Sequence, residues 1–318
     1  MKEIGGYLEY EENSSEMMYS DAIHLNCAKN CLVYLIKARD IKKIYIPYFL
    51  CDVVEKACEQ CNVVVEKYNV DCNFIPNELP NGDDWIYIVN YYGQIDNVCI
   101  SEYKKKHKNI IVDNVQAYFQ RPVKGVDTLY SCRKFFGVAD GAILYTDAVY
   151  NGKIEEDESY DRMRFVLGRY EKNASEFYCD YKNNNKLLEK ENIKAMSKLT
   201  KNILRGIDYD SVIKKRTDNF RFLNNKLSVY NKLNVKNIEG AFMFPFMVDN
   251  ASELRDNLIA NKIYVPILWP NVIEETESDT LEYKMAENIL PLPCDHRYGI
   301  EEMNYIVNII KKWFMEGK

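Results

Sequence analysis

Apolar positions along this chain come in short runs, spaced by polar and helix-patterned stretches. Lys43 to Pro47 (KIYIP), NVVVEKYNV from Asn62, WIYIVNYYG from Trp85 and NIIVDNV from Asn109 are rich in β-branched and aromatic residues. Runs of this length read as strands buried on both faces, the habit of parallel sheets. Between them the spacing turns helical. AIHLNCAKNCLVYLIKA predicts a helix with Asn26 as its cap and Cys31, Leu32, Leu35 and Ile36 on its apolar face, and another helix starts near Asp52. Strand–helix alternation predicts an α/β domain with a mostly parallel sheet.

The second half is patterned differently. Asn151 to Asn185 is charged and irregular, and Arg162, Arg164 and Arg169 lie close together there, as an anion site or a solvated face. Leu188, Ile193, Met196, Leu199 and Ile203 predict one helix over 186–206, and a long helix with Lys215, Arg216, Phe220, Leu223 and Leu227 then leads out of the large domain. AFMFPFMVDN then predicts a strand interrupted by Pro245, Ala251 to Asn261 a helix, and IYVPILWP a strand. The last helix has Glu301 and Glu302 near its start, Lys311 and Lys312 near its end, and a core face of Met303, Ile306, Val307, Ile310 and Phe314. The expected division is an arm over 1–20 with a Gly5-Gly6 break, a large α/β domain over 21–215 and a small α+β domain over 216–318.

Composition narrows the function classes. The net charge of −6 argues against a nucleic-acid protein. No run of eighteen apolar residues occurs, so no membrane span is expected, and the acidic start lacks a secretory pattern. Ten cysteines without an export signal point to free thiols and a cytoplasmic location. Cys58 and Cys61 have the spacing of a metal or redox pair but no second pair, and the three histidines, His24, His107 and His296, are scattered. No metal site or serine–histidine triad is expected.

Candidate chemistry gathers in TLYSCRKFFGVADGAILYTD, Thr128 to Asp147. It reads as strand, tight turn and strand, with Lys134 at the turn, Arg133 beside it and Asp140-Gly141 just beyond. Burial and a neighbouring cation both favour the neutral amine, which is nucleophilic toward aldehydes. The bland alternative is a surface lysine in a loop. Upstream, NIIVDNVQAYF ends a strand on Asp113, with Gln116 three residues on. Ligands collect at the carboxyl ends of strands in open α/β sheets, although an acid there also caps helices.

These two stretches, IIVDNVQAYF and YSCRKFFGVADGAIL, resemble the DegT/DnrJ/StrS family of pyridoxal phosphate-dependent aminotransferases, most of which act on nucleotide-linked keto sugars. GGYLE, LNCAKNCLVYLI, IYIPYFLC and NYYGQ are similar to a shorter branch of that family. The resemblance implies the type I aminotransferase fold, with Lys134 as Schiff-base partner and proton carrier and Asp113 on the pyridine nitrogen. It assigns the phosphate corner to Asn26, Cys27 and Ala28, with Ser131 in the cofactor set. Gln116 would face the ring hydroxyl, and Tyr48 or Phe49 would stack on the ring. Asn90, Tyr91, Trp269 and Arg297 are its substrate-side candidates, Asn90 and Tyr91 being equally readable as a turn, and Asn192 lies near the family's subunit-crossing asparagine. The family pattern departs at Ala139-Asp140-Gly141, where an acidic-glycine-glycine step is usual, and the serine-to-lysine spacing is short. The implied reaction moves an amino group from glutamate to a nucleotide keto sugar for glycan or polysaccharide synthesis, in a homodimer. A dehydratase on the same fold and a non-catalytic binding or regulatory member are the alternatives.

Overall fold

In the computed structural model, which describes residues 4–317, nine strands form one sheet. They are β1 (Ile23–Leu25), β2 (Lys43–Pro47), β3 (Val64–Tyr68), β4 (Trp85–Val89), β5 (Ile110–Asp113), β6 (Asp127–Ser131), β7 (Ala142–Tyr145), β8 (Glu155–Glu156) and β9 (Lys194–Ala195). Their order is β3-β2-β4-β5-β6-β7-β1-β9-β8. From β3 to β6 every pairing is parallel. β7 runs antiparallel to both β6 and β1, so β1 points the same way as the parallel strands. The β-branched runs sit inside as their composition requires: all four residues of β5 are buried.

Helices α1 (Ala28–Ala38), α2 (Asp52–Gln60) and α3 (Asn97–Lys106) connect the sheet strands. α4 (Arg164–Glu171), α5 (Tyr178–Lys190) and α6 (Lys198–Arg205) form the excursion around β8 and β9. The helix expected over 186–206 is therefore divided. Ser197 caps α6 by accepting from the Thr200 amide, and β9 pairs with β1 through Leu25 and Ala195.

α7 (Tyr209–Leu227) leads out of the large core. Val212 packs in the first apolar cluster, whereas Phe220, Leu223 and Leu227 pack in a second. That second core also takes the antiparallel pair β10 (Phe244–Met247) and β11 (Ile289–Leu292), with α8 (Ala251–Ala260) and α11 (Ile300–Met315) over it. β10 includes Pro245, which faces Pro291 in the register. IYVPILWP is not a strand. Ile263 and Val265 belong to the small core and Trp269 to the large one, so this segment crosses between cores, and Pro270 opens α9 (Pro270–Glu275). α10 (Leu281–Asn288) also returns to the large core through Met285 and Ala286. On α11 it is Trp313 that is buried, while Phe314 stacks on Tyr230 with ring centres 4.6 Å apart.

Within the expected arm, Ile4, Tyr7 and Leu8 are exposed, and Met17 and Tyr19 are buried in the large core. The Tyr19 hydroxyl donates to the Tyr118 carbonyl at 2.6 Å. No helix among the described residues is long and apolar enough to cross a membrane.

Candidate active site

The parallel strands and β1 all end at one edge of the sheet. Asn26 and Cys27 follow β1, Tyr48 and Phe49 follow β2, Asn90 and Tyr91 follow β4, Asp113 ends β5, and Ser131 ends β6 just before Lys134. β7 starts at the same edge, immediately after Asp140 and Gly141. Residues scattered over more than a hundred positions thus meet on one rim because the topology, rather than the sequence spacing, collects them.

Lys134 and Asp113 form the centre. Lys134 is an exposed residue whose amine end lies beside the Phe242 ring and within electrostatic reach of Asp113, Cys51 and Arg133. Burial lowers its pKa from the ordinary lysine value, Asp113 and Cys51 oppose that shift, and Arg133 adds to it. The amine lies 5.4 Å from the centre of the Phe242 ring. Asp113 is buried, and burial raises its pKa against the pull of Lys134 and a hydrogen bond from Tyr87. The Tyr87 hydroxyl donates to one carboxylate oxygen at 2.7 Å and the Val115 amide to the other at 2.8 Å. Two opposite charges act on each other across the cleft, and desolvation still outweighs their attraction for both. Gln116 accepts from the Tyr92 amide at 2.8 Å through Oε1, and its Nε2 has no protein acceptor among the described residues.

Solved aminotransferases share this chain trace. DesV of S. venezuelae, solved with a ketimine intermediate, aligns at a TM-score of 0.66 and 15% identity over 94% of this chain and 85% of its own. A DegT DnrJ EryC1 StrS aminotransferase from Brucella abortus gives 0.61 and 14% over 92% and 85%. The sugar aminotransferase CalS13 from Micromonospora echinospora gives 0.59 and 12% over 92% and 87%. This chain has the type I aminotransferase fold. No family model matches the sequence, and none of the curated proteins does.

Within this fold the remaining candidates separate. Asn26 is buried and does not cap α1; Cys27 holds that position without a side-chain cap, which leaves the Ala28 and Lys29 amides open, while the Asn30 amide donates to the Cys27 carbonyl at 3.0 Å. Asn26 instead donates to the Asn192 carbonyl at 3.1 Å and accepts from Asn30 at 2.9 Å. Ala28 opens α1, and the Ser131 hydroxyl has no protein partner among the described residues. Phe49 is turned inward, its ring 4.4 Å from that of Trp269 and 5.3 Å from that of Tyr91, so no face is free for a ligand. Tyr48 is the exposed ring of the pair. Asn90 is also spent internally: it donates to Asn114 and Gln120 and accepts from the Ile95 amide. The Tyr91 hydroxyl donates to the Phe49 carbonyl at 2.5 Å. Asn90 and Tyr91 therefore turn their side-chain polar groups to the protein, whereas Trp269 is buried against Phe49 and Tyr91 with no protein partner for its indole N–H among the described residues; Arg297 is held by both oxygens of Asp295, at 2.6 and 2.8 Å.

The three arginines of the excursion do not converge. Arg162 pairs with Asp157 at 2.6 Å, Arg164 lies over Phe177, and Arg169 donates to the Tyr298 hydroxyl. Two residues that sequence reasoning left unassigned, Tyr87 and Phe242, matter more, and Arg133 does more than act as the cation beside Lys134. Tyr87 holds Asp113, and its place inside a fully apolar strand was a signal that a partner waited for its hydroxyl. Phe242 faces the amine. Arg133 turns into the corner near Cys27 and Arg162, donating to Asn185 while its Nε is buried without a partner. Asp140 is structural here: it accepts from the Ser197 amide and hydroxyl at 2.8 Å and from Thr200, tying α6 to the rim.

Proposed function

We propose that this protein is a pyridoxal phosphate-dependent aminotransferase of the DegT/StrS kind. It takes an amino group from glutamate and delivers it to a nucleotide-linked keto sugar, for glycan or polysaccharide synthesis. The observation that carries the reading is the Lys134–Asp113 pair on the carboxyl rim of this fold: an amine biased toward its neutral form, facing a carboxylate held by two donors.

The donor set suits the cofactor. Asp113 would meet the pyridine nitrogen, and Gln116 has free Nε2 donors for the ring hydroxyl. The open amides at the start of α1, the Ser131 hydroxyl and the unpartnered Arg133 Nε suit a phosphate dianion. Tyr48 has an exposed ring for stacking. Bound there, the cofactor supplies an aldehyde and an electron sink. The protein's part is proton management. Lys134, its amine biased toward the neutral form, would serve as the nucleophile toward that aldehyde and as the proton carrier at the substrate carbon. Asp113 stays ionised once a cationic nitrogen faces it, because an opposite charge lowers a carboxylate pKa. The buried rings of Phe49, Tyr91 and Trp269 keep one wall dry. Like the resembled family, the protein would work as a homodimer in the cytoplasm.

The decisive measurement is the visible absorbance of purified protein mixed with pyridoxal phosphate. Uptake should give a new band that Lys134→Ala abolishes and glutamate bleaches. No band in the wild type would defeat the enzyme reading and leave a binding protein on this scaffold. A band indifferent to glutamate would keep the cofactor and replace the donor.

A further inference from the structure

α7 carries an arginine that no motif singles out. Arg216 is 2% exposed, at the point where the helix passes from the large core to the small one. Among the described residues no carboxylate bonds to it. One terminal nitrogen donates to the Ala241 and Phe242 carbonyls at 2.9 and 3.3 Å, and the other to the Phe135 carbonyl at 3.1 Å. Its guanidinium lies 4.7 Å from the Phe135 ring centre, and its Nε is buried without a partner. The nearby acid, Asp295, is committed to Arg297. Burial brings the Arg216 pKa down to about 10. A buried cation that bonds only to carbonyls, its nearby acid spent on Arg297, is costly, and an apolar side chain would fill such a helix face more cheaply.

What the guanidinium does that an apolar residue cannot is join two backbones. Phe135 directly follows Lys134. Phe242 places its ring against the Lys134 amine and packs on the Phe135 ring at 5.7 Å. The next α7 residue extends the grip, since the Thr217 hydroxyl oxygen accepts from the Gly240 amide at 2.9 Å. Gly240 has φ +60°, and a Cβ there would run into the Phe119 ring, which stands edge-on to Phe135 at 5.6 Å.

We propose that Arg216 is a positioning residue that straps segment 240–242 to the Lys134 loop and so holds the Phe242 ring against the Lys134 amine. The inference rests on the reading of Lys134 as the reactive amine. The charged and titratable groups acting directly on that amine are Asp113 from β5, Cys51 ahead of α2 and Arg133 on its own loop. Arg216 works through the two phenylalanines.

The test reads the amine itself, in cofactor-free protein. Trace acetic anhydride is added across a pH series, and acetylation of Lys134 is followed by peptide mass spectrometry in wild type, Arg216→Met, Arg216→Lys and Phe242→Leu. The wild-type midpoint should lie below that of an ordinary lysine. Arg216→Met should raise it by about one pH unit as water enters beside the amine. Phe242→Leu should move it the same way, and Arg216→Lys should fall between. A folded Arg216→Met with an unchanged midpoint overturns the strap. If that variant does not fold, unchanged midpoints in both Arg216→Lys and Phe242→Leu do so. An ordinary midpoint in the wild type overturns it as well, since there would be no special environment to hold. A midpoint shift in a protein that takes up no pyridoxal phosphate would leave the strap standing and remove the proposed function.

Discussion

At the residue scale, Lys134 and Asp113 illustrate how position sets reactivity. Asp113 raises the lysine pKa while burial lowers it. Removing only that charge takes away the larger of the two influences that oppose burial, so Asp113→Asn is expected to lower the Lys134 labelling midpoint further, by about one unit. The same lysine is a liability for folding. Its folded pKa lies below its unfolded one, so the unfolded chain binds the proton more readily and the folded state loses stability as pH falls below the ordinary lysine range. Lys134→Met should therefore raise the melting temperature at neutral pH, with the gain shrinking as pH approaches that of an ordinary lysine. Calorimetry at several pH values checks the sign. Gly141 is constrained in another way. Its φ is +116°, and a Cβ would approach Thr200 Cγ2 at 3.0 Å and Cys132 Cβ at 3.2 Å. Gly141→Ala should cost about 1–3 kcal/mol in denaturant unfolding.

At the element scale, the rim is assembled by short polar links between strands and helices. Asp140 is the clearest: three donors from the start of α6 converge on one buried carboxylate. Asp140→Ala should lower stability by roughly 1–3 kcal/mol for the donors left unpaired, read from denaturant melts. This residue also shows what the sequence conveyed. The strands were legible because buried runs such as IIVD and KIYIP admit few other structures, and the rim positions of Lys134 and Asp113 were legible because both stand at the ends of such strands. Asp140 follows Lys134 closely in the chain, but its partner lies 57 positions away, and no local pattern announces that. Arg216 looked like one of many helix cations, since only the meeting of two cores makes it buried. IYVPILWP failed for a related reason: alternating apolar residues suit a strand edge and equally a segment whose side chains serve two cores in turn. Asn90 and Tyr91 sat at the expected rim yet turned their polar atoms to the protein, a choice made by tertiary contacts alone.

At the scale of the whole molecule, the junction of the cores is where acid should act first. His296 lies in the loop held by Asn219 of α7, which donates to the carbonyls of Cys294, Asp295 and Tyr298. Burial, helped by Arg216, lowers the His296 pKa to about 4, and its Nδ1 is buried without a partner. The unfolded chain takes up this proton more readily, so stability should decline as pH falls from about 6.5 toward about 4. In His296→Phe that slope should be shallower, which urea unfolding at pH 7, 5.5 and 4.5 would reveal; an identical slope would count against the assignment.

The large core closes only with material from far down the chain. The Phe49 ring leans on Trp269, and the Val70 amide donates to Glu282. During synthesis, β7 emerges well before either partner. At ribosomal speed the interval to residue 289 is roughly 10–30 s, long enough for a nascent sheet to present Phe49, Tyr91 and Phe74 to any chaperone that reads exposed rings. The birth of this protein is thus paced by its last third, and a ribosome stalled near Leu227 should hold a chain that recruits such chaperones and remains open to protease.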